Sequence, residues 1–297
     1  MDDSSPDLCA ACRHPLTGEF CSACGERRAR PEDESFRHFL VEAVGVFTSA
    51  DSKLWRSFRA LFVPGKLTAE HFAGRRGLYL HPVRLFLILN VVFFFALSSA
   101  GGTVFRGPLD SQRGSSLYGE TAVRATDAQL RSWNDSRADE VSPEVYEAAF
   151  NQQADTLAPS LIALLVPLIA MLLALALWPV RASIVRHVVF AAHAVAAFMA
   201  VLLVLLFSVS LVVFALSAVG IGSTSGFSID PIAVPLTIVA VVLYYVTGIR
   251  RVYEVPWWGA IVSGLAVSTA GMYAALVAFR FLLFWATVWT LDPPPAG

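Results

Sequence analysis

The chain has 297 residues, 56% of them hydrophobic and only 15% charged, with a mean hydropathy of +0.61 and a formal net charge of −1. A soluble globular domain carries about 25% charged residues, so this composition excludes an ordinary soluble fold and points to an all-α, multi-pass membrane protein. The near-neutral balance also argues against a nucleic-acid partner, and none is expected.

The most specific chemistry comes first. Cys9-x2-Cys12 and Cys21-x2-Cys24 are the only cysteines, and the arm from Arg13 to Phe20 is long enough to bring the two knuckles together. Four thiolates in two such pairs suit a tetrahedral S4 site, for which Zn²⁺ is the expected structural cofactor. His14-Pro15 and Thr17-Gly18 are turn formers, and Leu16 and Phe20 are expected to form a minimal core. Gly25 follows the second knuckle, but Arg13 stands in the corresponding place after the first. A module this small cannot fold on apolar burial alone, so metal binding, about 10–16 kcal/mol for structural zinc, is expected to carry its folding. The acidic opening Met1–Asp7 has no signal-peptide pattern, which fits reduced cysteines on the cytosolic side. Arg13, Arg27, Arg28 and Arg30 stand beside the site and can offset its negative charge.

Two amphipathic helices are predicted next. Phe36, Phe39, Leu40, Ala43, Val44 and Phe47 recur at helical spacing, as do Leu54, Phe58, Leu61 and Phe62. Ser49 or Asp51 is placed to cap the second, and Pro64-Gly65 to end it. Lys53, Arg56, Arg59 and Lys66 give it a basic face, suited either to an anionic membrane surface or to packing on the cytosolic ends of the spans.

Five apolar stretches then qualify as transmembrane helices, at residues 83–100, 157–178, 187–219, 231–245 and 257 to about 285. Twelve of the 22 lysines and arginines fall within residues 1–84, with Arg181 and Arg186 between the second and third spans and Arg250 and Arg251 between the fourth and fifth. By the positive-inside rule the N-terminus is cytosolic and the C-terminus lies outside the cytoplasmic (inner) membrane. The resulting order is a zinc ribbon (1–30), cytosolic amphipathic helices (31–82), a first span (83–100), an extracytosolic loop (101–156), four more spans (157–290) and a tail (291–297). The loop is expected to be partly ordered, with a short helix over residues 142–154.

Several residues carry a resemblance. Pro64-Gly65-Lys66, Gly74-Arg75-Arg76, Tyr79, Pro82 and Arg84-Leu85 resemble a bacterial membrane-protein family known as domain of unknown function 3667. Arg186-His187-x-x-Phe190-Ala191-x-His193, Tyr244-Tyr245, Arg250-Arg251-Val252-Tyr253, Trp257-Trp258 and the double-CxxC ribbon are also similar to that family. The resemblance implies the architecture and carries no activity.

The spans hold few polar groups. Between Thr156 and Leu291 the only carboxylates are Asp230 and Glu254, so a carboxylate-based ion relay is not expected. Asn90 is suited to bonding a neighbouring helix. His193 and Tyr244 or Tyr245 fall at similar depth, which predicts antiparallel third and fourth spans and a hydrogen bond between these side chains. Arg186, His187, His193, Tyr244, Tyr245, Arg250, Arg251 and Glu254 form a candidate cytosol-facing ligand or lipid site, and Arg280 a separate candidate near the outer interface. Plain helix contacts and positive-inside anchors would account for the same residues. Enzyme motifs such as GxxxxGK[ST], HExxH, GxSxG and GxGxxG are absent from the sequence. The expectation is therefore a non-enzymatic scaffold or regulator in contact with membrane lipids, whose ribbon recruits a protein partner or senses anionic lipid. A homo-oligomer is the other association considered. The alternative function is a transporter or channel with the ribbon as an appendage.

Overall fold

The computed structural model describes residues 8–10, 12–25, 51–99, 107–136, 139–218 and 230–293. All named elements among them are helical. They are α1 (Asp51–Leu61), α2 (Lys66–Phe72), α3 (Pro82–Ser99), α4 (Leu109–Arg113), α5 (Gly119–Asp135), α6 (Pro143–Leu161), α7 (Leu165–Ala176), α8 (Ile184–Ala218), α9 (Asp230–Tyr253), α10 (Trp257–Tyr273) and α11 (Phe279–Thr290). Five helical stretches are long and apolar enough to cross a membrane: Arg76–Ser99, Pro143–Ala176, Ile184–Val212, Pro235–Tyr253 and Trp257–Thr290. The expected amphipathic helix around Phe36 to Phe47 lies outside the described residues, as do Arg27, Arg28 and Arg30.

The chain divides into two compact units, one of Met1–Phe93 with Val166–Thr269 and one of Phe94–Leu165 with Ala270–Gly297. In the first unit the N-terminal half of α8 is buried on nearly every side. Val189, Phe190 and the run of alanines at 191, 192, 194, 196 and 197 sit there with 0–4% exposure. Small side chains let neighbouring helices approach closely, the usual way helices associate in lipid. Farther along, Phe207, Leu211 and Phe214 are exposed, as lipid-facing residues would be. Rings fasten α8 to α9: Phe190 meets Tyr245 and Tyr253 edge-on, each at 6.1 Å, and His187 stacks on Tyr253 at 5.3 Å. Pairing the start of α8 with the end of α9 makes them antiparallel neighbours.

The fourth span is longer than the predicted 231–245. Because α9 continues to Tyr253, Arg250 and Arg251 occupy its last turn, where cations complement the helix dipole. A second difference lies between α1 and the first span. Pro64-Gly65 ends α1 as expected, but Gly65, at φ 72°, immediately starts the unpredicted seven-residue helix α2.

In the second unit, residues 107–136 form α4 and α5, a larger ordered region than the loop expectation allowed. Polar side chains tie them to the other helices of the unit. Leu109 N–H donates to Asn151 Oδ1 at 2.8 Å, Gln129 Nε2 donates to the Val288 carbonyl at 2.9 Å, and Tyr146 OH donates to Gln129 Oε1 at 2.7 Å. The helix expected over 142–154 does begin at Pro143, with Ser142 Oγ accepting from Val145 N–H as its cap. It does not stop at 154. It runs through a 3-10 turn at Ile162–Leu164 into α7, making a 34-residue stretch of the predicted loop helix and the second span. At 1.5 Å per residue that is roughly 50 Å, longer than the ~30 Å hydrocarbon core.

Candidate metal centre and basic face

Each knuckle is a tight turn closed by one backbone hydrogen bond. Arg13 N–H donates to the Cys9 carbonyl and Gly25 N–H to the Cys21 carbonyl, both at 2.8 Å. The residue after each second cysteine takes the same left-handed conformation, Arg13 at φ 63° and Gly25 at φ 73°. The two knuckles are therefore equivalent in backbone although their sequences differ. A non-glycine residue pays about 1 kcal/mol for that conformation. Arg13→Gly is expected to stabilise the metal-loaded module by about that much, read as a several-fold slower loss of metal to a competing chelator.

The Cys9 and Cys24 sulfurs are 3.5 Å apart, as are those of Cys12 and Cys21, and all four lie within 4.8 Å of one another. A tetrahedral centre with metal–sulfur bonds of about 2.3 Å has sulfur–sulfur edges of about 3.8 Å. The four thiols fit a single metal ion. Burial opposes ionisation of Cys21, but the Ala23 and Cys24 backbone amides and the Cys12 and Cys24 thiols outweigh it and bring its pKa down to about 6. That favours the thiolate a metal requires. The rest of the module is thin. Leu8 and Pro15 form an isolated antiparallel bridge, Leu16 is half-buried, and Phe20 is 60% exposed. The minimal Leu16–Phe20 core is thus not formed. Cys9 and Cys21 themselves are the buried residues, at 2% and 3% exposure.

The residues proposed as a single ligand site are dispersed. Arg250 lies over the Trp257 ring at 4.0 Å, Arg186 over the Phe72 ring at 4.9 Å, and Arg251 Nη1 donates to the Pro64 carbonyl at 2.6 Å. The three guanidinium groups lie against three different partners and do not converge on one pocket. Glu254 is exposed and turns the chain after α9 at φ 54°. His187 Nδ1 is 2.8 Å from Tyr253 OH. The bond expected between His193 and the tyrosine pair is replaced by one to α2, with Thr68 Oγ1 2.9 Å from His193 Nδ1. Tyr245 instead packs on Phe190, and Tyr244 meets Tyr245 edge-on at 6.4 Å. Asn90 is buried, at 5% exposure. In the second unit Arg280 donates to Ser111 Oγ, and its carbonyl accepts from Gln112 Nε2 at 3.4 Å, which makes it a tie to α4.

Sequence reasoning missed a cluster on α2. Thr68 and His71 are buried at 0% and 8% exposure, and His71 meets His81 edge-on at 6.2 Å. Burial first, then Arg76, His193 and His81, push the His71 pKa from 6.5 down to about 2. His71 is therefore neutral in the folded protein while an unfolded histidine titrates near 6.5. Its contribution is complete above pH 6.5 and is lost as pH falls through the window towards 2, because the unfolded chain gains the proton first. Each unit in that window costs about 1.4 kcal/mol. Hydrogen-exchange protection factors over α1 and α2, taken relative to the intrinsic rate at each pH, are expected to fall between pH 6.5 and 4.5, and this pH dependence to flatten in His71→Asn.

The signal that reveals α2 is the pair of left-handed glycines around it. Gly65 starts it, and Gly74, at φ 79°, follows its end, where Arg75 pairs with Glu70 and Arg76 Nε donates to the His71 carbonyl at 3.2 Å. Helix α1 is fixed to the same region by its buried Ser57, whose Oγ accepts from Leu80 N–H at 2.8 Å. No curated protein and no solved structure matches the chain at a significant level. Residues 51–94, from α1 into α3, match the family model described as Protein of unknown function (DUF3667), and this match supports the chain's membership of that family.

Proposed function

We propose that this protein is a multi-pass scaffold or regulator of the cytoplasmic (inner) membrane, with its four-cysteine module on the cytosolic side holding structural zinc and recruiting a protein partner. The observation that carries the reading is the four-sulfur cluster. Four thiolates complete a tetrahedral zinc shell and leave no position for a substrate, so the metal's role is to shape a surface. Cytosolic placement is supported by the positive-inside rule and by where the basic residues of the first unit gather. Arg186 on Phe72 and Arg251 on Pro64 bring the start of α8 and the end of α9 to the α1–α2 segment. Basic α1 then faces the anionic leaflet.

A transporter or channel needs a continuous polar route. Three contacts of buried polar side chains in the first unit instead hold helices and turns together: Thr68 on His193, His187 on Tyr253, Ser57 on Leu80. The test is a pull-down of full-length protein from native membranes, comparing wild type with Cys21→Ser/Cys24→Ser while bound zinc is quantified. A co-purifying protein lost together with zinc supports the scaffold reading. Identical co-purification from a zinc-free variant that is still inserted in the membrane rejects it.

A further inference from the structure

One pocket of about 350 Å³ is lined by Trp55, Arg56, Arg59, Ala60, Lys66 and Tyr79. Three of these six side chains are cationic and none is a carboxylate. Arg56 and Arg59 stand three residues apart on α1, so they share a face of the helix. Lys66 opens α2, and Tyr79 closes the pocket from the turn that precedes the first span. The walls are set by other contacts. Leu80 N–H on Ser57 Oγ holds the Tyr79 turn against α1, and the Trp55 ring, stacked on Phe58 at 5.9 Å, lies beneath the Arg59 guanidinium at 5.5 Å. Among the described residues no carboxylate pairs with Arg56, Arg59 or Lys66, and Glu70, the carboxylate of α2, is already paired with Arg75. Three cations converge on one concave space, and no carboxylate among the described residues neutralises them.

We propose that this pocket binds a phosphate-type anion, with the Arg56 and Arg59 guanidinium groups as planar forks on its oxygens and Lys66 as a point charge. Arginine matches the bidentate geometry of phosphate, and lysine adds charge without demanding orientation. The volume falls in the range of small-ligand sites and admits a phosphate group with its first waters or with a short headgroup attached. Trp55, Phe62 and Val63 beside it are exposed, apolar and on the α1 side, where acyl chains would lie if the phosphate belongs to a lipid. Only that lipid source rests on the proposed placement of α1 at the membrane surface. The pocket is independent of the metal module.

The experiment uses full-length protein in uncharged detergent, titrated calorimetrically with inorganic phosphate. In parallel, the protein is placed in phosphatidylcholine nanodiscs containing phosphatidic acid, and retained lipid is counted by native mass spectrometry. Arg56→Gln/Arg59→Gln is expected to lose at least about tenfold in affinity or retention, in keeping with loss of charge-assisted hydrogen bonds. Arg59→Lys, which keeps the charge and removes the fork, should lose several-fold and guards against misfolding of the double variant. Lys53→Gln removes a charge from the same helix but does not line the pocket, and should bind as wild type does. Binding of free phosphate identifies a soluble anion as the ligand; retention of phosphatidic acid without phosphate binding identifies the lipid headgroup. The proposal is overturned if neither probe binds wild type, if the double variant binds unchanged, or if Lys53→Gln loses as much as the double variant, which would mean diffuse attraction. Zinc content and partner capture should be unchanged in all three variants, so failure here is separable from failure of the scaffold reading.

Discussion

Stripping the metal from the four-cysteine module, by chelation or by Cys21→Ser/Cys24→Ser, is expected to unfold residues 8–25 while the helices from α1 onward persist. The module has little else to hold it. Among its described residues the strand pairing is the single Leu8–Pro15 bridge, Phe20 is solvent-exposed, and the buried positions are Cys9 and Cys21. Structural zinc contributes about 10–16 kcal/mol in comparable small modules, far more than one bridge and one half-buried leucine can supply. The readout is hydrogen exchange at the Arg13 and Gly25 amides, whose bonds to the Cys9 and Cys21 carbonyls close the two knuckles. Protection at both should vanish on chelation and return with added Zn²⁺, with helical circular dichroism unchanged. Metal loading should also weaken on acidification through pH 6, since the Cys21 thiol must lose its proton to ligate. Retained protection in the metal-free protein would show that the knuckles fold by themselves.

Much of the architecture was legible because membrane spans and metal knuckles are local signals. Five spans follow from composition alone, and the S4 cluster follows from two CxxC pairs and an eight-residue arm. What escaped depends on contacts between distant parts of the chain. Thr68 bonds His193 across 125 positions, and Ser57 holds Leu80 across 23. Depth along two spans correctly made α8 and α9 neighbours, yet it could not show that α2 would enter and take His193 from the tyrosines. The residues of the predicted ligand cluster are dispersed for a related reason: Arg250 and Arg251 share the last turn of α9, but one lies over Trp257 and the other bonds the Pro64 carbonyl. The basic face of α1 was visible as periodic charge. Its concavity was not, because Lys66 and Tyr79 join Arg56 and Arg59 only after the chain has turned at Gly65 and Gly74.

Gly65→Ala is expected to be among the most destabilising small substitutions in the first unit, by roughly 2–5 kcal/mol. Two separate costs add. Gly65 sits at φ 72°, where an L-residue is disfavoured by about 1–2 kcal/mol. A methyl group there would also lie 2.9 Å from the Gly248 carbonyl oxygen and 3.0 Å from its Cα, both backbone atoms of α9, and overpacking of that kind costs about 1–3 kcal/mol. Gly248→Ala carries the steric cost without the conformational one. Its methyl would come within 2.8 Å of the Phe190 ring, which is fully buried and held edge-on by Tyr245 and Tyr253, so the ring has little room to yield. The expected order of apparent unfolding temperatures in detergent is Gly259→Ala near wild type, Gly248→Ala lower, and Gly65→Ala lowest, the last by roughly 10 °C. Gly259 is the control because its methyl would meet nothing closer than 3.8 Å. Equal midpoints for all three would mean that the turn before α2 does not rest on α9. Gly65→Ala should further weaken anion binding more than Gly248→Ala does, since Gly65 directly precedes Lys66 of the basic pocket and a strained turn there moves that ammonium first.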